Sequence, residues 1–221
     1  MGIIVISLGG SVISQEDKID VAFLRNFSKL IKSETKGSRF IITCGGGYVS
    51  KQYVNAVAEF TKSNYIKDLV AIATTKANAL LVRSSFGEDA VVADGVGDAA
   101  ELIKQNRIVV MGGIVPGITT DSVAALSAEA ADAKLLINVS RIGGIYEEHH
   151  KGKVLPKLTY DTLIEYGTKH DQRVARSNFI FDIVACKLAK RAGIKLHFIG
   201  TSMTDLKKAI SDTSHSGTIV S

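Results

Sequence analysis

Consecutive glycines follow four predicted strands of this sequence, and their position suits phosphate chemistry. The four segments read SLGGSV, CGGGYVSKQY, MGGIVPGITTD and SRIGGIYEEHHKGK. A single pair of glycines usually marks a tight turn, but four such segments directly after β-branched runs are difficult to explain by turns alone. Backbone N–H groups at a helix N-terminus bind phosphate, and glycine lets the backbone approach the oxygens most closely. The pattern therefore predicts a site for a phosphorylated ligand.

The spacing of these glycines excludes the commonest phosphate-binding motifs. The chain contains no GxxxxGK[ST] segment, and its first glycine loop does not read GxGxxG. The two cysteines, Cys44 and Cys186, form no CxxC pair and show no metal-ligand spacing, so we expect two buried thiols in a reducing cytosol. The sequence predicts no metal site built from protein ligands.

Composition limits the class of partner. The chain has 221 residues, a formal net charge of +5 and no Trp. Its basic residues are spread through predicted helices rather than gathered in a run, and aromatic residues for base stacking are few, which disfavours nucleic acid. The apolar N-terminal run stops at Gly9 and is too short to span a bilayer. We expect a cytoplasmic protein whose partners are small phosphorylated molecules, with neither nucleic acid nor membrane among them.

Short β-branched runs alternate with amphipathic helical segments along the chain. The predicted strands are Ile3–Leu8, Phe40–Cys44, Ala90–Ala93, Ile108–Met111, Leu135–Val139, Leu196–Ile199 and a last one in GTIVS. This alternation predicts an α/β fold, a three-layer α/β/α arrangement with a central, mostly parallel sheet. Ligands bind such sheets at the carboxyl ends of the strands, which is where all four glycine loops lie.

The residues Thr119, Thr120 and Asp121 precede an apolar helix predicted over residues 123–131. One interpretation is a helix N-cap with an acidic residue in the first turn. This interpretation does not explain the preceding loop from Ile114 to Gly117. A loop that holds a ligand against Thr119 and Thr120 explains both.

Together these segments resemble the archaeal-type uridylate (UMP) kinases of the amino acid kinase superfamily. The resemblance rests on LGGSV, CGGGYVSKQY, TTKANALL, GGIVPGITTDSVAALSAE, GGIY and FDIVACKLAKRAGI, and it covers essentially the whole chain. It implies an amino acid kinase-like, or carbamate kinase-like, fold in one domain over residues 1–221. Within that domain it implies a monophosphate-binding lobe over about 1–130 and an ATP-binding lobe over about 131–221.

The resemblance also implies an activity. ATP would phosphorylate UMP to give UDP and ADP, a step of pyrimidine nucleotide and CTP biosynthesis. Mg²⁺ would accompany ATP and bridge its oxygens, and it needs few protein ligands. The protein would be a homohexamer, a trimer of dimers. The nucleophile is a phosphate oxygen that is already anionic, so catalysis would consist of positioning and positive charge.

The resemblance assigns residues to each role. The UMP-binding residues would be Gly46, Asp68, Ile114, Val115, Pro116, Gly117, Ile118, Thr119 and Thr120. The ATP-binding residues would be Gly10, Ser11, Gly47, Lys51, Ser140, Arg141, Tyr146 and His149. The catalytic residues would be Lys51, Asp182 and Lys187. Apart from the resemblance, the preferred interpretation of Asp68 is a solvated helix charge.

The chain departs from the pattern of these kinases at several positions. Ser7 stands where the broader superfamily often has Lys. Lys51 stands where Arg is usual, so the ammonium of Lys, a point charge, replaces a guanidinium that can form two parallel hydrogen bonds to a phosphate. Relatives show TNVDGVY followed three residues later by Asp, whereas this chain has Arg141, Gly143 and His149 in place of the Asn and the two Asp residues. The ATP side is therefore the more altered half.

Two alternatives remain open from the sequence. A non-catalytic UMP-binding sensor would retain the UMP loop and lose the ATP chemistry, and the changes at Gly143 and His149 favour it. A related small-phosphate kinase such as isopentenyl phosphate kinase would want a His early in the helix after GGG. The segment GGGYVSKQY contains none.

Overall fold

A computed structural model describes residues 2–16, 18–148, 151–170 and 181–221, and His149 lies outside the described residues. The strands are β1 Gly2–Leu8, β2 Ser38–Cys44, β3 Ala90–Val92, β4 Ile108–Met111, β5 Leu135–Val139, β6 Tyr146–Glu148, β7 Lys151–Val154, β8 Lys157–Leu158, β9 Lys195–Ile199 and β10 Thr218–Val220. The helices are α1 Gly10–Ile13, α2 Val21–Glu34, α3 Gly47–Ala58, α4 Asn64–Phe86, α5 Val96–Gln105, α6 Thr120–Ala130, α7 Tyr160–His170, α8 Ile183–Ala192 and α9 Met203–Ile210.

The described strands form one large sheet in the order β3-β4-β2-β1-β5-β9-β10-β8. The six strands from β3 to β9 in that order pair in parallel, whereas β10 is antiparallel to β9. The sheet is mostly parallel, which confirms the predicted fold class. Four of these parallel neighbours, β4, β2, β1 and β5, have their carboxyl ends side by side. The glycine loops that follow them therefore meet at this end of the sheet, called its carboxyl edge below.

Helices cover both faces of this sheet. The core on one face includes the large buried side chains Phe27, Phe40 and Phe86, and the core on the other includes Phe181 and Phe198. Strand β1 contributes to both cores because successive side chains point to opposite faces. Its central residues are fully buried, as a continuous apolar run in a parallel strand predicts.

The predicted strands all form, with ends that differ by at most two residues. The sequence did not predict β6, β7 and β8, which have only two to four residues each and carry too little alternation to be recognised. Strands β6 and β7 pair as a separate antiparallel ribbon after β5. Within the described part of the chain, no helix combines the length and apolar character that a bilayer crossing requires.

Candidate functional site

The first two glycine loops pack directly on each other at the carboxyl edge of the sheet. A Cβ atom at Gly10 would lie 1.9 Å from the Gly47 nitrogen, and one at Gly45 would lie 2.5 Å from the Gly10 nitrogen. Gly47 also has a φ of 67°, a conformation that L side chains rarely adopt. The structure therefore requires these glycines for the contact between two backbones, and this contact brings the N-termini of α1 and α3 together.

Both helix N-termini leave backbone donors available. Neither α1 nor α3 has a side-chain hydrogen bond from its own N-cap residue. The hydroxyl of Ser14 instead accepts a 2.9 Å hydrogen bond from the Tyr48 N–H. Within the described residues, the N–H groups of Gly46 and Gly47 have no hydrogen-bond acceptor. Unpaired N–H groups at a helix N-terminus suit an anion.

Helix α4 fixes the carbonyl side of the second glycine loop. The side-chain amide of Asn78 donates to the carbonyl oxygens of Gly45 (2.7 Å) and Gly46 (3.1 Å). One turn earlier, the Thr75 hydroxyl accepts a 2.7 Å hydrogen bond from the Gly113 N–H. The segment TTKANALL thus supplies two buried side chains that orient two different glycine loops. The sequence indicated the segment but not these contacts.

The 112–120 loop lies against α4 and contains the predicted UMP-binding residues Ile114 to Thr120. One carboxylate oxygen of Asp68 accepts a 2.9 Å hydrogen bond from the Gly117 N–H across 49 residues of sequence. Gly117 has a φ of 82°, so the turn favours glycine although a Cβ would meet no other atom within 4 Å. The structure therefore brings Asp68 to this loop, and its second carboxylate oxygen has no partner among the described residues.

Asp182 links the start of α6 to the start of α8. One of its carboxylate oxygens accepts hydrogen bonds from the hydroxyls of Thr119 (2.8 Å) and Ser122 (2.5 Å). Its other oxygen caps α8 by accepting from the Val184 N–H. Thr119 is itself the N-cap of α6, so the N-cap interpretation of this segment is correct. Asp182 thus joins the predicted UMP side to the helix that carries Lys187.

Asp121 is a functional candidate that the sequence analysis treated only as a first-turn acid. Its carboxylate accepts a 2.6 Å hydrogen bond from the Ser7 hydroxyl and a 3.0 Å one from the Asn138 amide. Burial, with a smaller contribution from the nearby Asp182 carboxylate, raises the pKa of Asp121 to about 6 against the opposing effect of the two donors. The side-chain oxygen of Asn138 is buried without a partner among the described residues. No local signal marks these contacts, since 114 residues separate Ser7 from Asp121.

The predicted cationic residues project from helices at the same edge. Lys51 lies one turn into α3 and Lys187 lies in the second turn of α8, and both are exposed. Neither forms an ion pair with any residue that the structure describes. Exposed ammonium groups without a carboxylate partner are available to a phosphate.

The 140–146 loop, which contains Ser140, Arg141 and Tyr146, is held mainly from the C-terminal end of the chain. The Ile145 N–H donates a 2.8 Å hydrogen bond to the buried Thr218 hydroxyl. A Cβ at Gly217 would lie 2.7 Å from the Gly143 carbonyl oxygen. The Ser140 N–H donates to the Ile199 carbonyl. The loop therefore lies at the carboxyl ends of β5 and β9, at the same edge of the sheet as the other glycine loops.

Most of the predicted site residues lie at the carboxyl edge of the sheet. It offers free N–H groups, exposed ammonium groups and two coupled carboxylates, a combination that suits binding and transfer of a phosphoryl group. Within the described residues no cluster of three or more His, Cys, Asp or Glu side chains could hold a metal. Ser11 is exposed at the start of α1, beside Gly10.

Comparison with known proteins gives consistent matches over nearly the full length. The amino acid kinase family matches residues 2–200. The chain is 34% identical to the uridylate kinase of Thermococcus kodakarensis, over 98% of each chain. It is 33% identical to the uridylate kinase of Archaeoglobus fulgidus, over 94% of each chain.

Solved structures agree with these relatives. The crystal structure of the Archaeoglobus fulgidus uridylate kinase superposes with a TM-score of 0.86 at 32% identity, over 100% of both chains. The UMP kinase of Ureaplasma parvum superposes with a TM-score of 0.80 at 18% identity and shows the same fold. The glycine loops, the sheet order and these matches together show that this chain belongs to the amino acid kinase family.

Proposed function

We propose that this protein transfers the γ-phosphoryl group of ATP to UMP, giving UDP and ADP. The observation that carries the proposal is the 112–120 loop, anchored by Asp68 and Asp182 directly beside the paired glycine loops. A monophosphate bound there would lie next to the N-termini of α1 and α3. The full-length similarity to two uridylate kinases supports UMP as the substrate.

On the UMP side, the 112–120 loop would hold the pyrimidine and Gly46 would approach the phosphate. The free carboxylate oxygen of Asp68 would accept hydrogen bonds from the ribose hydroxyls, a task suited to an acceptor-only group. Its other oxygen already orients Gly117. Residues Ile114 to Thr120 would thus be positioned by a side chain that also contacts the ligand.

On the ATP side, the N–H groups of Gly10, Ser11 and Gly47 would receive the phosphates. Ser140, Arg141, Tyr146 and His149 would surround the adenosine. The phosphate oxygen of UMP is anionic, so it attacks without a general base. Lys51 and Lys187 would stabilise the charge on the transferring phosphoryl group, and Asp182 would hold the N-terminus of α8 in place.

Magnesium would accompany ATP. Burial raises the pKa of Asp121 and the neighbouring Asp182 charge adds to the rise, and a divalent cation near these two carboxylates would reduce their repulsion. Asp182 is the residue we expect near it. When bound, Mg²⁺ neutralises phosphate charge and orients the phosphate oxygens, and it takes few protein ligands.

We also propose a homohexamer in the cytoplasm, with an acceptor lobe over about 1–130 and an ATP lobe over about 131–221. The α3–α4 hairpin exposes six large apolar or aromatic side chains, namely Tyr53, Phe60, Tyr65, Ile66, Leu69 and Leu80. Several exposed large apolar side chains on one hairpin are typical of an interface between subunits. Light scattering on wild type and on Phe60→Glu would test it, since a monomeric wild type contradicts the proposal.

The decisive experiment is an assay of the purified protein with ATP, Mg²⁺ and each nucleoside monophosphate in turn. We expect UDP and ADP to form in equal amounts from UMP, with dUMP, CMP and AMP as controls. The second candidate, a UMP-binding sensor, is favoured by the departures at Gly143 and His149. UMP-dependent thermal stabilisation without turnover would support the sensor and contradict the kinase.

A further inference from the structure

A chain of hydrogen bonds at the C-terminal side of the molecule contains two histidines that the proposed reaction does not use. His197 lies in β9 with its side chain fully buried, and His215 lies in the connection between α9 and β10. The Nε2 atom of His215 is 2.9 Å from the Nδ1 atom of His197. The Nε2 atom of His197 is 2.9 Å from a carboxylate oxygen of Asp212.

A backbone group at one end determines the direction of the whole chain. The Gly217 N–H donates a 3.1 Å hydrogen bond to Nδ1 of His215. Because an N–H can only donate, that nitrogen carries no proton, and His215 must donate from Nε2 to Nδ1 of His197. His197 must then donate from its own Nε2 to Asp212. Both imidazoles are therefore neutral, with the proton on Nε2.

A further proton on either ring places two N–H groups face to face. On His215 the conflict is with the Gly217 N–H, and on His197 it is with His215. Burial, together with His215 and Lys195, lowers the pKa of His197 to about 4 against the attraction of Asp212. Burial also lowers the pKa of His215.

The charged groups on the elements around His215 have opposing effects on its pKa. The nearby Asp205 raises the pKa of His215, and Lys208 lowers it. Asp205 also holds the connection itself, since it accepts hydrogen bonds from the N–H and the hydroxyl of Ser216.

The residues fixed by this chain support the 140–146 loop. Gly217 packs on the Gly143 carbonyl, where a Cβ would lie 2.7 Å away. The next residue, Thr218, accepts the hydrogen bond from the Ile145 N–H. Thr218 is fully buried and pairs with Phe198 in β9. Loss of the Gly217–His215 bond therefore acts directly on the backbone that holds Gly143 and Ile145.

We infer that His197 and His215 are positioning residues for the 140–146 loop, and that this directed chain makes ATP binding sensitive to acid. The ATP part of this inference rests on the proposed function. UMP binding is not affected, because the 112–120 loop is anchored by Asp68, Thr75 and Asp182 instead.

The experiment compares His215→Ala with Thr213→Ala at pH 8. Thr213 lies in the same connection, and its hydroxyl and N–H bond only the Lys208 carbonyl among the described residues, so it is a matched control. Loss of one or two hydrogen bonds predicts about a threefold to tenfold rise in the KM for ATP in His215→Ala, with kcat and the KM for UMP within twofold. In wild type, the KM for ATP should rise as the pH falls from 7 towards 5, and His215→Ala should flatten that rise.

Two readouts do not depend on activity. Hydrogen exchange of the peptide covering residues 140–146 should become faster in His215→Ala and stay unchanged in Thr213→Ala. The ¹⁵N chemical shifts of the wild-type imidazoles at pH 8 should report the Nε2–H tautomer for both histidines. An Nδ1–H tautomer at either ring, or equal exchange in the two variants, would overturn the inference. Absence of UMP phosphorylation with faster exchange would instead contradict only the proposed function.

Discussion

The two halves of the candidate site are held in different ways. On the UMP side, side chains from α4 and α8 anchor the 112–120 loop through Asp68, Thr75 and Asp182. On the ATP side, the 140–146 loop is held chiefly by the backbone or hydroxyl groups of Ile199, Gly217 and Thr218.

This difference explains why the two halves are unequally visible in the sequence. A loop anchored by particular side chains needs particular residue types, and these appear as a readable segment such as GGIVPGITTD. A loop held by backbone groups tolerates changes in its own side chains, provided that its backbone path is retained. The Arg141 and Gly143 departures lie in the second kind of loop. We therefore expect substitutions on the UMP side to have the larger effects.

The largest effect is expected where the two halves meet, at Gly10. Gly10→Ala places a Cβ 1.9 Å from the Gly47 nitrogen, so the two glycine loops must separate. We expect activity to fall by at least about a hundredfold, because a displacement of about 1 Å in such a site has that consequence. Gly97→Ala, where a Cβ would meet no other atom within 4 Å, is the control and should retain activity. Wild-type kinetics in Gly10→Ala would show that the loops do not need this contact.

Asp68→Asn should have the next largest effect and should act on the UMP side alone. The substitution removes a charged acceptor, and hydrogen bonds to charged groups contribute about 1.5–3 kcal/mol, equivalent to roughly 10- to 100-fold. We expect that rise in the KM for UMP, with the KM for ATP unchanged, in steady-state kinetics. Glu59→Gln, at an exposed position after α3, serves as the control. An equal rise in both KM values would remove the distinction between the halves.

Asn78→Asp tests how the glycine loop is oriented. The carboxylate cannot donate to the carbonyl oxygens of Gly45 and Gly46 and would face them with a negative charge. We expect kcat/KM to fall about tenfold or more for both substrates, since Gly46 and Gly47 serve both phosphates. Asn64→Asp, in the exposed first turn of α4, should have no such effect. A loss of affinity for UMP alone would show that this glycine loop contacts UMP and not ATP.

Asp121→Asn should change the pH dependence of stability. The pKa of Asp121 is raised to about 6 by burial, so the folded state resists its ionisation, and the wild type loses stability as the pH rises from about 4 through 6. Asn does not titrate and can still accept from Ser7. The variant should therefore have a higher Tm than wild type at pH 8 and an equal Tm near pH 4. A Tm difference independent of pH in thermal scans would contradict the raised pKa.

The smallest effect is expected at Arg141. Its side chain is exposed and forms no ion pair with the residues that the structure describes. Exposed charges contribute up to about 1 kcal/mol, so Arg141→Gln should raise the KM for ATP by no more than about fivefold, and less at high salt. Arg25→Gln on α2 is the control. A change as large as that of Asp68→Asn would show that the ATP side depends on side chains after all.

The sequence by itself determined the alternation of strands and helices, the mostly parallel sheet and the edge at which the glycine loops meet. These properties depend on periodicity, helix caps and glycine spacing, which are local in the chain. Only the tertiary structure decided that Gly10 and Gly47 are needed for a backbone contact, that Ser7 binds Asp121, and that His215 supports the 140–146 loop through Gly217. Those contacts join residues far apart in sequence, and they depend on strand order and packing, which no local pattern encodes.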